Sequence, residues 1–407
     1  MSSLCRRLVA RALALRLCAL IFASVCAVDG APRKYVIGSR IDFLTGGSNM
    51  PFGTGLISTN EFLPFYGAHP SIDMTSTGEH SVLKSSYAFG YDRIDSDTPW
   101  ISRSHAASLM LSVQPGAKWK VSLSESFSMT SDLATFNGIR GVSLFDQGFI
   151  FPFYPVTSQH AVKTNGFGFG TDYSFNDKAA VSVNVSHDLR YYGDAAIEGQ
   201  LSDQQRAFAE VRYTRRVDQR NSWTVGYSST YFSFRDFENA VSQATTVGFS
   251  RSFTPSLSLT MSAGPSRVEN LKSKDSNVSY NANVTLQERL RKAAISIYFV
   301  QYGGDASGLG SISDTRRAGF NVRFDSKRAT LFMDVSAFDT KGTLENVYNT
   351  RGAAVSASVG LPLNRTFSLN AGGQYQRYDH TADFGFEQKR LFVSLRMETP
   401  SLWRFAR

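Results

Sequence analysis

Beyond residue 26 the 407-residue chain has no cysteine; Cys5, Cys18 and Cys26 are the three it contains. A form without the first 27 residues therefore has no thiol, which excludes disulfides, thiolate nucleophiles and cysteine metal sites. Long apolar runs are missing too: no stretch after residue 28 approaches the roughly 18 apolar residues a membrane-spanning helix needs. Lys and Arg are scattered instead of gathered in blocks, which argues against a nucleic-acid partner. The six histidines, His69, His80, His105, His160, His187 and His380, share no motif. His187 stands between Ser186 and Asp188, but neighbours along a strand point to opposite faces and do not make a triad. The residues point to a non-enzyme with no cofactor and no metal.

What is present begins with a leader. Arg6, Arg7, Arg11 and Arg16 precede an apolar run from Leu17 to Val28, and Val25 and Ala27 occupy the two positions a signal peptidase reads. Residues 1–27 are expected to be a signal peptide. Its removal takes four of the 43 basic residues and none of the 34 acidic ones, so the formal charge falls from +9 to 39 minus 34, or +5.

From Ser81 onward about sixteen segments, each roughly ten to thirteen residues long, alternate apolar with small polar side chains. WKVSLSESFSM, Trp119 to Met129, is typical, and so is AVSVNVSHDL with Val181, Val183, Val185 and Leu189 on one face. The connections alternate as well. Short turns such as QPGAK, NDKA, VDQRNS, RLRK, DSKR and PLNR take turns with longer loops such as GDAAIEGQLSDQ and GGDASGLGSISD. A soluble sandwich has no reason to sort its loops by length onto alternate ends, whereas a transmembrane barrel does so. Trp119, Trp223 and Trp403 fall at the short-turn level, and Tyr91, Tyr191 and Tyr231 near the opposite rim, where membrane girdles are expected. Glu125 is the misfit: it takes the parity assigned to lipid.

In signal, alternation, loop sorting and girdles the chain resembles the porin-like outer-membrane β-barrels of Gram-negative bacteria. Its last strand, KRLFVSLRMETPSLWRF, is similar to their C-terminal assembly signal in Leu391, Val393, Leu395 and Met397, although it runs on to Arg407. The resemblance implies an all-β, antiparallel up-and-down transmembrane barrel over residues 81–407, with about 16 strands and 18 as the alternative. It also implies bacterial outer-membrane lipid and the barrel assembly machinery as partners, and homo-oligomers are compatible with it. Residues 28–80 alternate only briefly, in KYVIGSRIDFL, before a Gly/Pro-broken aromatic stretch. They are expected to enter the lumen or sit at its periplasmic mouth; the alternative is two extra strands. A 22-strand transporter with a plug does not fit this length.

Counting parity places Lys84, Lys120, Arg190, Arg206, Arg212, Arg216, Arg317, Arg323, Arg390 and Arg396 in the lumen, with Asp188, Glu210, Asp325 and Asp334. Such a basic lining concentrates anions. Equally, the arginines can pair with those four acids and stiffen the wall. The loop from Thr130 to Val162 carries Phe145, Phe149, Phe151, Phe153 and Tyr154, suited to narrowing a pore or stacking on sugars. Three functions stay open: a channel for small polar or anionic solutes, an export or binding barrel for an anionic surface polysaccharide, and a plugged structural or adhesive barrel.

Overall fold

The structure, a computed structural model, describes residues 34–49, 62–95, 100–130, 162–191, 203–235, 237–305, 312–342, 349–380 and 385–406. Eighteen strands make one sheet. The first six are β1 (Lys34–Ser48), β2 (Leu63–Thr77), β3 (Ser81–Ile94), β4 (Trp100–Gly116), β5 (Trp119–Thr130) and β6 (Val162–Asn176). Next come β7 (Ala179–Tyr191), β8 (Gln204–Arg216), β9 (Asn221–Phe234), β10 (Ala240–Ser252), β11 (Leu257–Asn270) and β12 (Ser276–Arg289). The chain ends with β13 (Ala293–Asp305), β14 (Ile312–Asp325), β15 (Thr330–Gly342), β16 (Asn349–Pro362), β17 (Phe367–His380) and β18 (Gly385–Ala406).

Each strand pairs antiparallel with its neighbours in chain order, and β18 pairs with β1, from Lys34 opposite Ala406 to Ser48 opposite Arg390. The sheet is thus a closed up-and-down barrel without edges, which satisfies backbone hydrogen bonding without help from side chains. The alternating segments from Ser81 onward are the sixteen strands β3 to β18. The other two come from residues 34–77, so the count is the eighteen-strand alternative. These residues were expected to lie in the lumen or at its mouth; instead β1 and β2 are staves of the wall: Gly46 and Gly67 sit in extended backbone paired on both sides, and Gly38 and Pro70 are paired within the β1–β2 register. Every even-to-odd connection is short, between two residues (117–118) and four (217–220), and all eight lie at one end.

Because directly paired residues share a face, the registers carry one parity all the way round and back to its start. One face bears Phe43, Ile72, Tyr87, Val225, Ile297, Val359 and Val393, all between 40% and 57% exposed. The other carries the buried Asp42, Ser242, Ser266, Asp334, Ser336 and Ser394. The apolar face is therefore outside. In β16 to β18 its rows read Leu361, Val359, Ala357, Val355; Leu369, Ala371, Gly373, Tyr375; and Met397, Leu395, Val393, Leu391. Four to five such positions rise roughly 20–25 Å once strand tilt is allowed for, the height of a hydrocarbon band. The band then stops at a collar of ion pairs, Arg351 with Asp339 at 3.3 Å, Arg377 with Asp379 at 3.3 Å and Lys389 with Glu387 at 3.0 Å.

The girdle residues fall on this outer face. Trp119 is 48% and Trp223 49% exposed, each in ring contact at 4.9 Å with an aromatic of the next strand, Tyr173 and Phe249. Tyr91, Tyr191 and Tyr231 share the face near the loop end, and the backbone of Trp403 pairs with Ile37 on the outward parity. Glu125 faces outward too. The β5–β6 register runs unbroken from Trp119 to Thr130, so no bulge turns Glu125 inward.

Candidate functional site on the inner wall

All ten basic residues expected in the lumen lie on the inward parity, as do Asp188, Glu210, Asp325 and Asp334. The wall sorts them by their partners among the described residues. On β7 and β8 the Arg206 guanidinium donates to Asp188 Oδ2 from Nε at 3.0 Å and from Nη2 at 2.6 Å, a forked geometry that fixes both side chains. Arg212 Nη2 donates to Glu210 Oε1 at 2.7 Å, and Asn184 donates to the same carboxylate at 3.4 Å. Arg323 Nε meets Asp325 Oδ2 at 2.7 Å.

Arg317 and Asp334 face each other from β14 and β15, 3.6 Å apart and both under 10% exposed. Arg317 Nη2 also donates to Ser336 Oγ at 3.0 Å, and its guanidinium stands 5.7 Å from the centroid of the buried Tyr298 ring. That ring lies across Gly319, where a Cβ would come within 2.7 Å of the Tyr298 hydroxyl. Each of the four acids thus holds one arginine.

Residues that the sequence reading left outside the barrel build a further cluster where β18, β1, β2 and β3 meet. Asp42, 1% exposed, accepts from Arg396 Nε at 2.6 Å, and Arg40 Nε lies 3.1 Å from its other oxygen. His69 Nε2 is 2.9 Å from Asp92 Oδ1. Gly67 makes room for that carboxylate: a Cβ there would come within 2.2 Å of Asp92 Oδ1. Alternation in KYVIGSRIDFL was the signal that could have found Arg40 and Asp42; nothing local marked His69 and Asp92 as partners. His187 and Asp188 diverge, His187 to the outer face and Asp188 inward to Arg206.

Three of the ten are different. Lys84, Lys120 and Arg216 are exposed, have no ion pair with a described residue, and stand toward the short-turn end. Farther up the wall Ser124, Ser126 and Met110 are inward and exposed, so water reaches the inner surface there. At the loop end the wall is apolar and buried: Leu44, Phe65 and Ile94 cluster with Leu63 and Phe392, and Phe232, Phe234, Ala240 and Val268 with Ile312. Arg390 packs its guanidinium 4.3 Å over the Phe65 ring. Arg190 is inward near this end. Phe145, Phe149, Phe151, Phe153 and Tyr154 lie outside the described residues.

No family model matches the chain, and no curated protein matches it in sequence. Solved structures do resemble it. Acinetobacter baumannii OccAB4 is 8% identical, with a TM-score of 0.45 over 91% of this chain and 99% of that one. The siderophore receptor PirA from Pseudomonas aeruginosa is 8% identical, with a TM-score of 0.43 over 89% and 80%. The FrpB iron transporter from Neisseria meningitidis, in its F5-1 variant, is 7% identical, with a TM-score of 0.47 over 86% and 63%. At identities and scores this low they mark likeness alone, and the barrel is established by its own strand pairing.

Proposed function

We propose that the chain is an outer-membrane channel for small polar and anionic solutes. One observation carries the reading: a closed eighteen-strand cylinder turns an apolar, aromatic-rimmed face outward and a solvent-exposed wall inward, with cations that have no ion pair with a described residue. The outer face is suited to lipid, with a hydrocarbon-high band ending in tryptophans below and ion pairs above. Barrels of this strand number leave room for an aqueous passage. Lys84, Lys120 and Arg216, with Arg289 beside them on the inward parity, contribute most of its ionic preference, because the fields of Arg206, Arg212, Arg317, Arg323 and Arg396 are largely cancelled by carboxylates within 4 Å.

The test is conductance in planar bilayers. Anions should permeate more readily than cations at low salt, and the preference should fade as the Debye length shrinks from about 30 Å at 0.01 M to about 3 Å at 1 M. Combining Lys84→Gln, Lys120→Gln, Arg216→Gln and Arg289→Gln should remove most of the preference and leave the barrel folded. Absence of conductance defeats the channel, and cation preference in the wild type defeats the basic-lining account.

A further inference from the structure

The charge of the protein is sorted from end to end. The eight short connections, taken with two residues on either side, hold thirteen Lys and Arg against five Asp and Glu. The nine longer connections with the same flanks hold eight against sixteen. A formal charge of +5 for residues 28–407 conceals this polarity. The excess at the short-turn end is spread round the rim, with cations in or beside seven of the eight short connections.

Direction decides what such a rim can hold. Lys120, Arg216 and Arg289 are exposed and fall on the inward parity, while Arg291, Lys292, Lys327 and Arg328 are exposed at the turn tips. None of the seven has an ion pair with a described residue, although Asp172 stands opposite Lys120 in the register. Arg215 and Arg251 are the outward members, where a bilayer surface could reach them, and Arg251 lies 5.2 Å over the Phe253 ring. A lipid headgroup outside the barrel cannot meet side chains that point into its mouth. A flexible soluble polyanion can, and it gains from many separated cations at once, whereas a monovalent solute uses one or two.

We propose that the short-turn mouth is a capture site for a soluble polyanion, such as an acidic or sulfated polysaccharide, approaching from that side. The proposal rests on the membrane-barrel reading but not on conduction.

The experiment measures binding of dextran sulfate, with neutral dextran as control, to the barrel in phosphatidylcholine nanodiscs. Binding should be salt-sensitive and specific to the sulfated polymer. The inward set Lys120→Gln, Arg216→Gln and Arg289→Gln, and the tip set Arg291→Glu, Lys292→Glu, Lys327→Glu and Arg328→Glu, should each weaken it at least tenfold at low salt. Heat-modified gel mobility reports that each variant is folded, and single replacements from each set, weakening binding stepwise, serve if a combined variant is not. No binding by the wild type, or binding indifferent to both sets, overturns the proposal. So does an equal loss from Arg215→Gln with Arg251→Gln, which would assign the rim to the bilayer surface. Conductance without dextran sulfate binding sinks the capture site and spares the channel; binding without conductance does the reverse.

Discussion

Asp42 accepts a hydrogen bond from Arg396 of β18 and forms an ion pair with Arg40 of its own strand, at the point where the first and last strands meet. Its carboxylate is almost wholly buried and the two arginines are about a quarter exposed, so the cluster is neither a free surface pair nor fully desolvated. Removing the anion leaves two cations facing each other. Asp42→Ala should therefore destabilise the barrel by about 2–3 kcal/mol, below the range for a fully buried pair. A double-mutant cycle of Asp42→Asn with Arg396→Gln should return a coupling of about 1–3 kcal/mol by urea titration in bilayers. Lys274 offers the opposite case. Its φ of 66° puts a branched-chain-free but Cβ-bearing residue in the left-handed region of the β11–β12 connection. Lys274→Gly relieves that strain and should raise stability by about 0.5–1 kcal/mol in the same titration.

At the level of strands and turns, neighbouring residues meet different solvents. Val183 and Val225 face outward and Ser182 and Thr224 inward, one position away in the chain. Arg at Val183 or Val225 should cost roughly 2–4 kcal/mol if it lies near the midplane, and Arg at Ser182 or Thr224 much less. Equal costs at both parities would contradict the lipid-facing assignment. The turn joining β8 and β9 has its own lock. Asp218 accepts from the Asn221 side chain and from the backbone N–H groups of Arg220 and Asn221, and these bonds hold its carboxyl below the ordinary value of 3.8. A depressed carboxylate stabilises the fold above the unfolded pKa and loses that contribution as pH falls through the folded one. Asp218→Ala should thus be less stable than wild type at neutral pH, and the two should converge in strong acid, as followed by thermal melts in detergent.

The whole molecule depends on closure. Deleting residues 34–77 would remove both strands of the β1–β2 hairpin and leave β3 and β18 without partners on one side. Bare edges cannot be hydrated within a hydrocarbon layer, so the truncated chain should show no heat-modified mobility and no protease-resistant barrel. A trimmed barrel of sixteen strands that folds and conducts would show that the hairpin is dispensable. Because residues 28–407 contain no cysteine, the seam can also be fixed covalently. Thr45→Cys with Val393→Cys, directly opposite in the β1–β18 register, should form an oxidant-dependent cross-link in the folded protein and none in urea.

Strand alternation, the sorting of connections by length and the inward parity of all ten basic residues could be read from the sequence because each is a local pattern with period two. The same locality explains where reading stopped. In residues 34–77, glycines and prolines obscure the period, and only pairing with β18 and β3 makes staves of them. Which arginines stay electrostatically active is likewise not a local property. Arg206 and Arg216 occupy the same parity of one strand, yet Arg206 meets Asp188 from the next strand while Arg216 has no ion pair with a described residue. The cluster of Asp42 with Arg396 joins positions 354 residues apart. Sequence by itself determined the face each side chain takes from Ser81 onward, since alternation follows from order along the chain. Tertiary structure alone decided which charges neutralise one another, because an ion pair depends on distance in space, and closing the cylinder brings the two ends of the chain together.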